Sequence, residues 1–238
     1  MARGRTPRRV GTGRAGVAGS VLLPLLVLLV VVALLRGFGG DEPTVEATAG
    51  SALAAVDELE VKGRAPRTGY SRDRFGDGWQ DPDGNGCDTR NDVLRRDLAA
   101  VQVRGDDPCV VQRGTLTDPY SGAVVDFRRG QGTSDDVQID HVVALSDAWQ
   151  KGAAAWSEEE RERFANDPFE LLAVDGGLNA AKGDGDAATW LPPRGRCAYV
   201  ARQVAVKLRY ELWVTAAERD AMRDVLSDCP DEPLPQGS

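Results

Sequence analysis

The chain of 238 residues contains a single histidine, His141. A zinc helix of the HExxH type and any multi-histidine metal centre need at least two, so both are excluded. GxSxG and SxxK motifs are also absent, and no serine is marked as a nucleophile for a Ser-His-Asp site built on His141. Acidic residues number 37 against 29 basic ones, a net charge of −8. This excess counts against a protein that binds nucleic acid by general electrostatic attraction.

Acidic residues are missing altogether before Asp41, and residues 17–35 carry no charge of either sign. The preceding segment, 1–16, contains five arginines and has a net charge of +5, whereas the chain from Asp41 onward has a net charge of −14. A helix over 17–35 would be about 30 Å long, enough to cross a bilayer core. The pattern favours a transmembrane signal anchor with a cytoplasmic basic segment, and a cleavable signal peptide is the alternative. Both predict export.

The four cysteines, Cys87, Cys109, Cys197 and Cys229, lack the paired CxxC spacing of a zinc site. Disulfides are expected for an exported protein. Three connectivities are possible, and the shorter loops favour Cys87–Cys109 and Cys197–Cys229.

Composition divides the exported part into three segments. Residues 36–69 mix Gly, Ala, Pro and scattered charges, which is typical of a flexible linker. Residues 70–229 should form the folded domain, and 230–238 a disordered tail.

Within 70–229, hydrophobic periodicity and turn residues predict an α+β domain, mostly helical, with a small antiparallel sheet. The predicted helices are 91–101, 157–165, 197–212 and a last one that ends at Cys229. Ser157 with Glu160 forms a capping box at the start of the second helix, and Thr215 with Glu218 caps the last one. The predicted strands are 137–140 and 171–174, together with a hairpin around 117–122. Asn166, Asp167 and Pro168 are interpreted as a helix stop and turn.

The residues that can carry chemistry lie at the end of one predicted strand and in the helix after the next. Asp140 and His141 end the strand over 137–140, and Asn179 follows 38 residues after His141. A neutral imidazole can take a proton from water, and a hard cation held by oxygen ligands can neutralise charge on a phosphate. The arrangement predicts metal-assisted phosphodiester hydrolysis.

Two segments, IDHVVALSDAW and FANDPFELLAVDGGLNAAKGD, resemble the HNH endonuclease family, which has the ββα-metal fold. The similarity extends over roughly residues 70–229, including TDPYSG, WLPP and CAYVARQVAVK. Within this family, the sequence most resembles the branch related to the C-terminal nuclease domain of GmrSD restriction endonucleases, in the exported form found in actinobacteria.

The resemblance implies His141 as general base, with Asp140 and Asn179 as ligands of one divalent ion, Mg²⁺ first and Mn²⁺ second. Lys182, three residues after Asn179, would contact phosphate. The expected substrate is nucleic acid, with DNA as the first candidate, and the protein is expected to be a monomer.

Glu170 departs from the family pattern, because many HNH proteins have a loop-stabilising asparagine at this place. The departure favours an alternative in which an envelope-anchored binding or structural module keeps the HNH fold without activity.

Two further segments suggest ligand contacts. Arg90 is a candidate for binding substrate phosphate. Asp81, Asp83, Asn85 and Asp92 stand at the spacing of a Ca²⁺-binding loop, and a tight Gly-Asp turn is the alternative.

Overall fold

The computed structural model describes Met1 and residues 47–237. The chain divides into two compact units, Met1–Thr44 and Val45–Ser238, and the described residues other than Met1 belong to the second. The predicted anchor over 17–35 and nearly all of the basic segment 1–16 lie outside the described residues. No helix within the described part has the length and apolar character needed to span a bilayer.

The described part of the second unit contains seven α-helices and five strands. The helices are α1 (Ala52–Val56), α2 (Thr89–Asp97), α3 (Leu145–Gln150), α4 (Glu158–Ala165), α5 (Gly176–Lys182), α6 (Arg196–Arg209) and α7 (Ala216–Ser227). The strands are β1 (Leu98–Arg104), β2 (Asp107–Thr117), β3 (Val124–Arg128), β4 (Val137–His141) and β5 (Leu171–Asp175). Short 3₁₀ helices cover Arg72–Phe75 and Ala153–Ala155.

The strands form two antiparallel sheets, one in the order β1-β2-β3 and the other pairing β4 with β5. The predicted α+β class is confirmed. The predicted hairpin is the β2–β3 connection, where the backbone N–H of Asp118 donates to the carbonyl of Ala123 at 2.8 Å. In the second sheet Asp140 lies opposite Leu172 and His141 opposite Leu171.

Helix α2 begins and ends earlier than the predicted helix over 91–101. It begins after Asp88, whose side chain accepts from the backbone N–H of Asn91 at 2.8 Å, and it ends at Asp97. From Leu98 onward the chain is extended and pairs with β2. The apolar positions from Leu98 to Val103 therefore belong to a strand, because pairing with β2 outweighs their helical spacing.

The two predicted capping boxes are confirmed. Ser157 and Glu160 cap α4, and Thr215 and Glu218 cap α7, with side chain and backbone bonded in both directions. These reciprocal bonds satisfy N–H groups that have no partner within the helix.

The predicted boundaries of the folded domain are wrong at both ends. Residues 47–69 are not a free linker, because α1 is buried in the core against α6 and α7. The terminal segment is not a free tail either: the carbonyl of Glu232 accepts from Ala52 N–H at 2.8 Å, and Leu234 packs on the same core. Burial of apolar side chains in SALAAV orders both segments.

The predicted disulfides, Cys87–Cys109 and Cys197–Cys229, are both formed. The first attaches the loop before α2 to β2, and the second links the start of α6 to the residues just after α7. Both crosslinks reduce the conformational freedom of the unfolded chain.

Charged side chains also lie in the interior. Lys151 Nζ contacts Asp147 Oδ1 at 2.6 Å, Asp186 Oδ2 at 2.8 Å and Glu218 Oε2 at 2.5 Å, and all four side chains are buried. Lys207 Nζ contacts Glu218 Oε1 at 3.0 Å and Asp147 Oδ2 at 3.2 Å. This buried ion network joins α3, α6, α7 and the segment after α5, each cation facing at least two carboxylates, as a buried charge requires.

Candidate active site

The site is built where β4 ends and α5 begins. Asp140 and His141 are the last two residues of β4, and Asn179 lies on α5, which follows β5 directly. Asn179 Nδ2 donates to Gln138 Oε1 at 2.8 Å, which fastens α5 to β4. Gly176 allows the close approach of the helix, since a Cβ there would lie 1.9 Å from the carbonyl oxygen of Asp135. The three predicted residues line one open cleft of about 590 Å³.

His141 is held with one ring nitrogen bonded and the other available. Nε2 lies 3.0 Å from the carbonyl oxygen of Ala165, which can only accept, so Nε2 carries the proton and Nδ1 the lone pair. Burial, with a smaller contribution from the charge of Arg72, lowers the pKa of His141 to about 3. The imidazole is therefore neutral at pH 7, with Nδ1 as a proton acceptor.

The indole of Trp79 lies next to the imidazole of His141. The two rings are nearly parallel, with an interplanar angle of 9° and 5.8 Å between centroids. The sequence patterns did not point to Trp79, because it lies in a loop 62 positions from His141.

Asp140 is bonded at both carboxylate oxygens. Lys182 Nζ donates to Oδ1 at 2.8 Å, and the Tyr120 hydroxyl donates to Oδ2 at 2.5 Å. Burial raises the pKa of Tyr120 well above its ordinary value, and the charge of Asp140 adds to the shift. The phenol therefore remains a proton donor to Asp140.

The expected contact between Lys182 and phosphate is corrected by these bonds. The Lys182 side chain has no exposed surface, and its amine also donates to the backbone carbonyl of His141 at 2.7 Å. The i, i+3 spacing correctly put Lys182 near Asn179 on α5, but the amine turns inward because the buried carboxylate of Asp140 attracts it.

Arginines surround the mouth of the cleft. Arg90, the candidate for phosphate binding, lines it, and so do Arg67 and Arg72. Arg67 is ion-paired with Asp184 at 3.2 Å. Arg90 is partly buried, and burial together with the nearby charge of Arg129 lowers its pKa. A guanidinium in this situation gains from binding an anion.

Glu170 stabilises the loop after His141. Its Oε1 accepts from the backbone N–H of Val143 at 2.9 Å, and its backbone carbonyl accepts from Val142 N–H at 3.0 Å. Burial raises the pKa of Glu170 well above its ordinary value, which favours the protonated carboxyl. The carboxyl oxygen of Glu170 supplies the acceptor for this loop, so the loop is supported without the asparagine.

The donors in the cleft suit a weakly held divalent ion. Each carboxylate oxygen of Asp140 keeps a second lone pair beside its bonded donor, and Asn179 offers an amide oxygen. Magnesium is commonly bound through one or two protein oxygens plus waters and substrate phosphate. Among residues 47–237 no cluster of three or more His, Cys, Asp or Glu side chains is suited to a metal, so the two residues would share the ion with water and substrate.

The loop from Asp81 to Asp92 is organised by its own hydrogen bonds. The carboxylate of Asp81 accepts from the backbone N–H groups of Asn85 and Gly86 at 3.1 and 2.9 Å. Asp83 accepts from the same Asn85 N–H at 3.1 Å. These bonds are those of a tight turn, and calcium binding stays a prediction.

Helix α4 ends as predicted. Asn166 is its C-terminal cap, with Nδ2 donating to the carbonyl of Glu162 at 3.0 Å, and Asp167 and Pro168 follow in a turn.

Comparison with known proteins identifies the family of this chain. Residues 88–225 match the family model of GmrSD restriction endonucleases, C-terminal domain. A relative from Arthroderma benhamiae, described as "Uncharacterized secreted protein", is 40% identical over 186 residues, covering 76% of this chain and 86% of the relative. It does not support the actinobacterial form suggested by the sequence, and no solved structure matches the chain. The family match spans more than half of the chain and includes every site residue named above except Arg67, Arg72 and Trp79, so this protein belongs to the family of GmrSD restriction endonuclease C-terminal domains.

Proposed function

We propose that this protein is a metal-dependent nuclease of the HNH type that hydrolyses phosphodiester bonds of nucleic acid outside the cytoplasm. Family membership indicates a nuclease-type function. One observation carries the finer proposal: His141, whose Nδ1 is left without a proton by the bond at Nε2, lines the same cleft as Asp140 and Asn179. A proton acceptor beside oxygen donors is what hydrolysis of a phosphodiester requires.

His141 would act as the general base. Nδ1 takes a proton from a water molecule while the water oxygen forms a bond to phosphorus and the bond to the leaving oxygen breaks. Burial and Arg72 disfavour the imidazolium in the free protein. An anionic phosphate in the cleft would offset the repulsion from Arg72 and make proton transfer to His141 more favourable.

Asp140 and Asn179 would hold one Mg²⁺, with Mn²⁺ as a substitute. When bound, the ion would neutralise charge on the phosphate and the leaving oxygen. Lys182 and Tyr120 keep the Asp140 carboxylate in one orientation, so its free lone pairs have a defined direction.

Arg72 and Arg90 would bind phosphates of the substrate, with DNA as the first candidate. Both line the cleft, in a protein whose net charge is −8. Since the overall charge repels nucleic acid, affinity has to come from such local cations and from the metal ion.

Export is supported by three features: the charge pattern of residues 1–35, the two disulfides and the secreted relative. The C-terminal unit would lie outside the cell membrane, either attached through residues 17–35 or released by cleavage.

The alternative of an inactive binding or structural module was favoured mainly by Glu170. Because Glu170 bonds to the loop after His141, its presence no longer favours this alternative.

Incubation of the full-length protein with plasmid DNA tests the proposal, with Mg²⁺, with Mn²⁺ and with EDTA. We expect cleavage that requires metal, and a loss of about 100-fold or more in His141→Ala, the contribution typical of a general base. Arg219→Ala is the control and should retain activity, because Arg219 is a partly exposed residue of α7 that does not line the cleft. Absence of metal-dependent cleavage, or equal cleavage by His141→Ala, would contradict the enzymatic function.

A further inference from the structure

The loop that carries Trp79 is fixed at the residue next to the indole. Gln80 N–H donates to Asn166 Oδ1 at 2.9 Å, and the Gln80 carbonyl accepts from both the N–H and the hydroxyl of Thr89 at 2.7 Å. Both backbone polar groups of Gln80 are therefore bonded to helical residues, at the end of α4 and the start of α2. Trp79 has little freedom to leave its position.

The same helix end holds the other side of His141. Ala165, whose carbonyl binds His141 Nε2, immediately precedes Asn166, whose side chain binds Gln80. Asn166 is buried and bonded to Glu162 as well. The hydrogen bond to His141 Nε2 and the loop that carries Trp79 are therefore both held at the C-terminal end of α4.

We propose that Trp79 is a positioning residue that holds the imidazole of His141 in one plane and one tautomer, with Nδ1 directed into the cleft. The proposal rests on the proposed function, in which His141 is the general base. A single hydrogen bond at Nε2 allows the ring to rotate about that bond. A parallel indole with its centroid 5.8 Å from that of the imidazole restricts this rotation.

Because the chain has one histidine, the tautomer can be read directly. A long-range proton–nitrogen correlation spectrum of the nitrogen-15-labelled full-length protein contains the signals of His141 alone. The wild type should show the pattern of an imidazole protonated at Nε2. Trp79→Phe, which keeps an aromatic face, should preserve it, and Trp79→Ala should show exchange-broadened or averaged ring signals.

Cleavage kinetics provide the second readout. Trp79→Ala should lower kcat about 10- to 100-fold with KM changed less than about 3-fold, since misplacement of a reacting group costs rate rather than binding. Trp79→Phe should recover most of the rate. Trp213→Phe is the matched control, because Trp213 lies at the surface, where its indole N–H donates to the carbonyl of Gly63.

Three results would overturn the proposal: a wild-type histidine protonated at Nδ1, an unchanged ring spectrum in Trp79→Ala, or equal kcat for Trp79→Ala and the wild type. The spectra remain decisive even if the wild type cleaves no nucleic acid, so failure of the proposed function is distinguishable from failure of the positioning role. Circular dichroism identifies a variant that does not fold. If Trp79→Ala does not fold, Trp79→Leu, which keeps an apolar side chain without an aromatic face, takes its place with the same expected loss and the same contradicting results.

Discussion

Asp140 and Lys182 form a buried ion pair at 2.8 Å between the last turn of α5 and the end of β4. The same lysine amine binds the backbone carbonyl of His141, so one cation fixes the two neighbouring residues of the site. Asp140 is also the carboxylate proposed to hold the metal. Its position therefore depends on a residue that does not reach the cleft, and this dependence can be measured as stability.

Lys182→Met should reduce the free energy of unfolding by roughly 3–5 kcal/mol, because it leaves Asp140 as a buried charge without its partner. Urea denaturation measures the change. Lys62→Met, which removes an exposed pair with Glu60, is the control and should cost less than about 1 kcal/mol. Equal midpoints for Lys182→Met and the wild type would show that the pair is not formed.

Glu170→Gln should become more stable than the wild type as the pH rises. The folded-state pKa of Glu170 is raised, so its contribution is fully present below the unfolded pKa of about 4.5 and is lost as the pH rises through the folded value. Glutamine keeps the acceptor for Val143 N–H and does not titrate. The difference in Tm between variant and wild type should therefore grow as the pH rises above the unfolded pKa of about 4.5. Parallel curves would contradict a raised pKa of Glu170.

The buried ion network should make the protein sensitive to acid. Burial acts to raise the pKa of Asp147, but the charges of Lys207 and Lys151 outweigh burial and lower this pKa. The pKa of Asp186 is also lowered, because its contact with Lys151 outweighs the effect of burial. Stability from a lowered carboxyl pKa is present above the unfolded value and is lost as the pH falls through the folded value. The free energy of unfolding should therefore drop steeply below about pH 4, and Asp147→Asn should flatten this dependence. Urea denaturation at several pH values tests both statements.

Arg72→Ala and Arg90→Ala should each raise KM for a nucleic-acid substrate about 10-fold, as expected for loss of one charge-assisted hydrogen bond. Arg113→Ala is the matched control, because Arg113 is exposed on the three-stranded sheet and does not line the cleft. Initial rates at constant ionic strength measure the effect. If KM for both variants equals that of Arg113→Ala, Arg72 and Arg90 do not contribute to substrate binding.

Local patterns predicted the central elements because their causes are local. The capping boxes at Ser157 and Thr215 each satisfy backbone groups within four residues, and the strands ending at His141 and at Asp175 are short apolar runs. Asp140, His141 and Asn179 line one cleft because β4 pairs with β5 and α5 follows β5 directly. Prediction failed where distant partners decide, as at Leu98, which pairs with β2, and at α1, which packs on α6 and α7.

The sequence alone predicted the α+β class and determined the residue types of the site, including the single histidine on which the proposed chemistry depends. It favoured the two disulfide pairs, and the structure decided between the three possible connectivities. Only the tertiary structure decided that Lys182 turns inward to Asp140, that Trp79 lies on His141 and that Glu170 supports the loop after it. The physical reason is that direction and burial of a side chain depend on groups far away in the chain. Charge and hydrogen-bonding capacity belong to the residue itself, whereas the partner that satisfies them is chosen by packing.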